Sequence, residues 1–137
     1  MAVFDGDDAG QRSVRALQQY FGQKNLQFQP NREYVSVRNG FAIEGLFPDT
    51  WIIEVHANHS SWFDAFSVDA SNALEYFGAK DGHKNSLIDY LIQRAEKSND
   101  AEWSRRWVRF LDSIESSLAR QNAALASAAT ARNIAAK

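Results

Sequence analysis

An apolar tripeptide, Ala2-Val3-Phe4, runs straight into Asp5-Gly6-Asp7-Asp8-Ala9-Gly10, and an amphipathic pattern over 11–21 follows at once. A fully buried strand, an acidic turn and a helix in that order commit the start of the chain to an α/β arrangement. A strand ending in Asp-x-Asp sets two carboxylates, i and i+2, on one side of a turn past the sheet's carboxyl edge. Such a pair suits a hard divalent cation such as Mg²⁺, which takes oxygen ligands in tight octahedral geometry and keeps several waters. Gly6 allows a sharp turn between the two acids, and Gly10 allows close packing where the helix begins.

Further along, hydrophobic spacing and turn residues mark out the remaining elements. Val14, Leu17 and Phe21 share one face of the first helix, and Gly22 is its expected stop. Segments 26–29 and 33–37 are strand candidates, separated by the turn signal Pro30-Asn31, and Arg38-Asn39-Gly40 signals another turn. Pro48 suits the first position of a helix that carries Trp51, Ile52 and Val55 towards a core. Segment 59–82 fits loop or short strand equally. A helix is expected over 84–97, with Leu87, Leu91 and Ala95 aligned. Asn99 or Asp100 is placed to cap a last helix, whose stripe is Trp103, Trp107, Phe110, Ile114 and Leu118. The Ala-rich tail 122–137 is expected to extend that helix or to fray, since alanine favours helix but offers little bulk for docking.

Composition sets outer limits. A length of 137 residues suits one domain, and 9 Phe, 4 Trp and 4 Tyr supply a core. The net charge of −2 argues against a broadly basic nucleic-acid binder, while leaving room for a local basic patch. With no cysteine, disulfides and thiolate chemistry are excluded. No apolar stretch reaches the roughly 18 residues needed to span a bilayer, so no membrane partner is expected and the default compartment is cytoplasmic.

The string Val3-Phe4-Asp5-Gly6-Asp7-Asp8-Ala9-Gly10, with a helix directly behind it, resembles the Asp-x-Asp motif of Toprim domains. Those are the metal-binding catalytic domains of bacterial primases, topoisomerases and OLD-family (overcoming lysogenization defect) nucleases. Ile43-Glu44-Gly45-Leu46-Phe47-Pro48 is similar to the segment that follows this motif in the OLD branch. His83-Lys84-Asn85-Ser86-Leu87-Ile88-Asp89-Tyr90-Leu91 is similar to its Lys-led helix, and Trp107-Val108-Arg109-Phe110-Leu111 to its closing helix. The resemblance covers roughly residues 2–120. It implies a partial Toprim, Rossmann-like parallel sheet flanked by helices, with a C-terminal helical pair. Its expected extent is a 1–121 Toprim-like domain lacking the N-terminal strands, followed by the 122–137 tail.

The resemblance also implies roles. Asp5, Asp7 and Glu44 would hold Mg²⁺ or Mn²⁺, in a two-metal arrangement if active, with Asp8 beside them. Lys84, with Lys80 as competitor for the alignment, would steady charge at a phosphoryl centre. Arg105, Arg106 and Arg109 lie off the aromatic stripe and would meet DNA phosphates, although a basic stretch opposite an apolar face is often simply the wet side. The implied activity is Mg²⁺-dependent DNA endonuclease chemistry, phosphodiester hydrolysis in a phage-defence setting. Only four residues precede Asp5, so the Toprim general acid/base Glu segment is missing, and no Gly-x-x-x-x-Gly-Lys-Ser/Thr phosphate loop occurs. The alternative function is therefore a non-catalytic Toprim remnant serving as an interaction or regulatory module. A sheet cut beside its central strand has an open edge, so a homo-oligomer or a second subunit covering it is expected. His56 and His59, three apart, have the spacing of a zinc pair but no further ligand pair to complete it.

Overall fold

The computed structural model describes residues 1–135. Strand β1 (Ala2–Phe4) leads into helix α1 (Asp8–Gly22), and strand β2 (Tyr34–Ser36) returns parallel to β1, pairing Ala2 with Tyr34, Val3 with Val35 and Phe4 with Ser36. A 3-10 turn over Ile43–Leu46 precedes helix α2 (Asp49–Asn58). Strands β3 (Phe63–Val68) and β4 (Leu74–Ala79) form an antiparallel hairpin. Helices α3 (Lys84–Glu96) and α4 (Arg105–Ala135) close the chain as a C-terminal pair. The fold is mixed α/β, with a small parallel sheet flanked by helices.

The parallel unit is held by aromatic side chains rather than by strand length. Phe28 stacks on Tyr34 with centroids 4.9 Å apart and on Phe21 of α1 at 5.2 Å, while Phe4 meets Tyr34 edge-on at 5.9 Å. Aromatic pairs of this kind add about 1 kcal/mol each beyond the area they bury. Segment 26–29 reaches this cluster as irregular chain, not as the expected strand. Asn25 is left-handed at φ 55°, the Gln29 N–H donates to the Glu33 carboxylate, and only an isolated bridge joins Pro30 to Tyr34.

β1 is not the fully buried strand its composition suggests. Phe4 faces the aromatic cluster, but Val3 is 48% exposed, and among the described residues no strand pairs with the second edge of β1. The main core lies elsewhere, under the hairpin. Ile52 and Val55 of α2 pack there with Leu87 and Leu91 of α3, Phe63 and Leu74 of the hairpin, and Phe41 and Phe47 of the connecting loop. Segment 59–82 therefore supplies core. Its strands carry bulges near both ends, and its turn is tied by Asp69, whose carboxylate accepts from Ser71 and Ala73.

Helix α4 starts in the core and leaves it. Phe47 stacks with Trp103 at 6.0 Å and meets Trp107 edge-on at 5.3 Å, and Asp100 caps the preceding turn through Glu102 N–H. Farther on, α4 runs along β2, with Ser117 fully buried there and Leu118 exposed. The expected stripe thus holds for its first turns and then rotates. The helix continues without a break to Ala135, with Leu125 and Ile134 about 70% exposed. The last two residues of the Ala-rich tail lie outside the described residues.

Candidate functional site

Asp7 begins α1 as its N-cap. Its Oδ1 accepts from Gly10 N–H at 2.8 Å, satisfying one of the orphan amides of the first turn, and Asp8 adds negative charge at the positive end of the helix dipole. Asp5, at the tip of β1, has a different partner. Its Oδ1 accepts from Ile43 N–H at 3.0 Å and so ties the strand end to the Ile43–Leu46 turn.

Backbone bonds lace the same two segments together. Gly6 N–H donates to Phe41 C=O at 2.8 Å, and Gly40 N–H donates to Gly6 C=O at 2.7 Å. Space is what makes the two glycines necessary. A Cβ on Gly6 would lie 1.9 Å from the Arg38 carbonyl oxygen, and one on Gly10 would lie 1.9 Å from that of Asp5. Neither residue has a positive φ, so close approach, not unusual dihedrals, is the constraint.

This lacing brings Glu44 up to the acidic turn, where it is 8% exposed. Burial pushes its carboxyl above the ordinary value of 4.5, and the charges of Asp5 and Asp7 push the same way. Its own backbone amide and the Lys84 ammonium offset part of the rise. Asp5 and Asp7 of one turn, Glu44 and Lys84, from three separate places in the sequence, therefore act on one another. Lys84 itself opens α3, half-exposed, with Nζ 3.3 Å from Asp81.

The three arginines of α4 are not equivalent. Arg105 pairs with Glu102 at 2.6 Å on the surface. Arg106 turns inward: its Nη1 meets Asp49 Oδ1 at 2.7 Å and donates to the carbonyls of Gly45 and Phe47. Arg109 is exposed, its backbone carbonyl accepts from Ser113 Oγ, and its guanidinium has no hydrogen-bond or ion-pair partner among the described residues. Arg106 is thus an internal tie rather than part of a free basic face.

Its partner Asp49 was not singled out in the sequence, and Arg38 was only part of a turn signal. Arg38 Nη1 also meets Asp49 Oδ1 at 2.7 Å, and its guanidinium lies 3.8 Å from the centroid of Phe41. Burial by itself would raise the Asp49 carboxyl, but hydrogen bonds and charge from Arg38 and Arg106 prevail and hold it below the ordinary 3.8. Arg38 and Arg106 both donate to Gly45 C=O. One short turn therefore has Glu44 in the field of the acids and its next carbonyl on the arginines.

The imidazoles do not form a zinc pair. His56 stacks flat on Phe66 at 3.7 Å and His59 on Trp62 at 4.0 Å, so each ring is occupied by its own aromatic neighbour.

As a place for a hard cation the corner fits in donor type. Carboxylates from two segments share one field, and Asp5 and Asp7 each keep an oxygen that no backbone amide engages. It does not fit in closure: among the described residues no group of three or more His, Cys, Asp or Glu side chains is gathered tightly enough to hold a metal ion. Among the described residues no helix is long and apolar enough to cross a membrane. No family model, curated protein or solved structure matches this chain.

Proposed function

We propose that this chain is a Toprim-like module of the OLD type, whose Asp5–Asp7–Glu44 corner takes Mg²⁺ or Mn²⁺ for DNA phosphodiester hydrolysis. The observation that carries the reading is the electrostatic strain at Glu44. A buried carboxyl that neighbouring acids push towards protonation gains most from a divalent cation placed among them. Bound there, such an ion supplies an activated water and stabilises charge on the leaving oxygen. The chain's own contribution is positioning. The Ile43 amide orients Asp5, the Gly10 amide orients Asp7, and Lys84 brings positive charge to the same field. DNA phosphates would meet Arg105 and Arg109, with Arg106 holding the turn that presents Glu44. A second copy of the chain, pairing along the open edge of β1 beside Val3, is the proposed partner.

The second reading is a non-catalytic Toprim remnant acting as an interaction or regulatory module. It is favoured by the open geometry of the three carboxylates and by the structural tasks that Asp5 and Asp7 already perform. Calorimetry with Mg²⁺ and Mn²⁺, run beside plasmid nicking, separates the two. Asp5→Asn and Asp7→Asn are the informative variants, since each keeps an acceptor for its amide while removing the charge. The enzyme reading expects metal binding and metal-dependent nicking in the parent chain and loss of both in the variants. No binding and no nicking by the parent chain leaves the module reading. Light scattering that finds a clean monomer at high concentration counts against the paired edge.

A further inference from the structure

On the arginine side of the Ile43–Leu46 turn, α4 and β2 line an open cavity of about 310 Å³. Its lining includes Arg38, Arg106 and Arg109 together with Val37, Leu46 and Phe110. The charge count there is unbalanced. Arg38 and Arg106 share the single carboxylate of Asp49, which leaves one positive charge, and Arg109 adds a second with no ion-pair partner among the described residues. Hydrogen-bond donors are also left over. Arg106 engages acceptors only through Nη1, so its Nε and Nη2 remain, and every guanidinium N–H of Arg109 remains. Guanidinium forks of this kind match the oxygens of a phosphate.

We infer that this cavity binds a phosphomonoester of nucleotide size. The net charge of two equals that of a phosphomonoester dianion, whereas a carboxylate would neutralise only half of it. The volume is that of a small-ligand site, and the apolar wall of Phe110, Leu46 and Val37 suits a flat or apolar body attached to the phosphate. The site uses none of Asp5, Asp7 or Glu44, so it stands whether or not that corner takes a metal.

The test is calorimetry in EDTA, with 2′-deoxyadenosine 5′-monophosphate, inorganic phosphate, deoxyadenosine and a 5′-phosphorylated oligothymidylate as probes. The monophosphate is expected to bind at least fivefold more tightly than inorganic phosphate, and deoxyadenosine not to bind. Arg109→Gln, whose side chain holds nothing in the fold, is expected to weaken the monophosphate about tenfold with an unchanged melting temperature. Asp5→Asn with Asp7→Asn is expected to leave binding as it was. An oligonucleotide that binds more tightly than the monophosphate identifies a strand end as the source, and one that binds no better identifies the free nucleotide. Equal affinity for monophosphate and deoxyadenosine, or full affinity in Arg109→Gln, overturns the inference.

Discussion

Two charged regions meet at the Ile43–Leu46 turn, and they handle charge in opposite ways. At Asp49, two guanidiniums converge on one carboxylate whose acidity rises in response, and the pairing ties α2, α4 and the loop after β2 together. At Glu44, burial raises the carboxyl's affinity for the proton, and the charges of Asp5 and Asp7 add to the rise. The first cluster is a structural fastening made by side chains. The second is held in place by backbone, through close-approach glycines and two carboxylate-to-amide bonds, and its charges oppose the arrangement.

The contrast can be broken at its strongest point. Gly6→Ala drives a methyl against the Arg38 carbonyl and should cost about 3 kcal/mol, read from urea melts, because backbone rather than a flexible side chain must yield. A cost below 1 kcal/mol would mean that the acidic corner is not built by backbone approach.

Next comes the fastening itself. Asp49→Ala leaves Arg38 and Arg106 facing each other without their anion. The loss for a fully buried pair is about 3–5 kcal/mol, and partial solvent access at Asp49 lowers the expectation to about 2 kcal/mol. Since the folded carboxyl titrates below its unfolded value of 3.8, this stabilisation is complete above that pH and disappears as pH falls through the lower folded value. The variant should therefore lose its deficit under acid, which melts at stepped pH would display.

Glu44 should respond with the opposite sign. Its folded carboxyl titrates above 4.5, so ionisation works against the fold. Stability is greatest below the unfolded value and declines as pH rises through the higher folded one. Glu44→Gln is expected to be more stable than the parent chain at neutral pH and no more stable in acid. A destabilised variant would show that the carboxylate is doing structural service after all. The smallest effect lies outside both clusters. Ser117 presses a hydroxyl with no partner among the described residues into the contact of α4 with β2, and Ser117→Ala should gain a few tenths to about 1 kcal/mol in the same melts.

Local signals in the sequence read well where a single residue type decides the outcome. The Asp-rich turn after Ala2-Val3-Phe4, Pro48 ahead of α2, the buried Leu87 and Leu91, and the Asp100 cap follow from propensity, periodicity and capping chemistry. The hairpin did not announce itself, because its strands are broken by bulges and carry exposed and buried residues in no clean alternation. Segment 26–29 misled for the reverse reason: Phe28 is half-buried by stacking, which looks like a strand in sequence but needs no ladder. Among the acids, the spacing of Asp5 and Asp7 was legible, and Glu44 was singled out through the resemblance alone. The Asp49 fastening was not, because Arg38, Asp49 and Arg106 come from three distant segments and only the folded chain brings them together. That also explains Arg106, whose sequence neighbours place it on a wet face while its partner draws it inward.

The central claim is that Asp5, Asp7 and Glu44 make one field in which a divalent cation replaces a proton. Carbon-13 NMR of the Glu44 carboxyl, titrated in EDTA and again in saturating Mg²⁺, tests it directly. The account predicts a midpoint above 4.5 without metal that drops when Mg²⁺ is present, and that falls only part of the way without metal in Asp5→Asn with Asp7→Asn, because burial of Glu44 remains. An ordinary midpoint that neither the ion nor the substitutions move would contradict it.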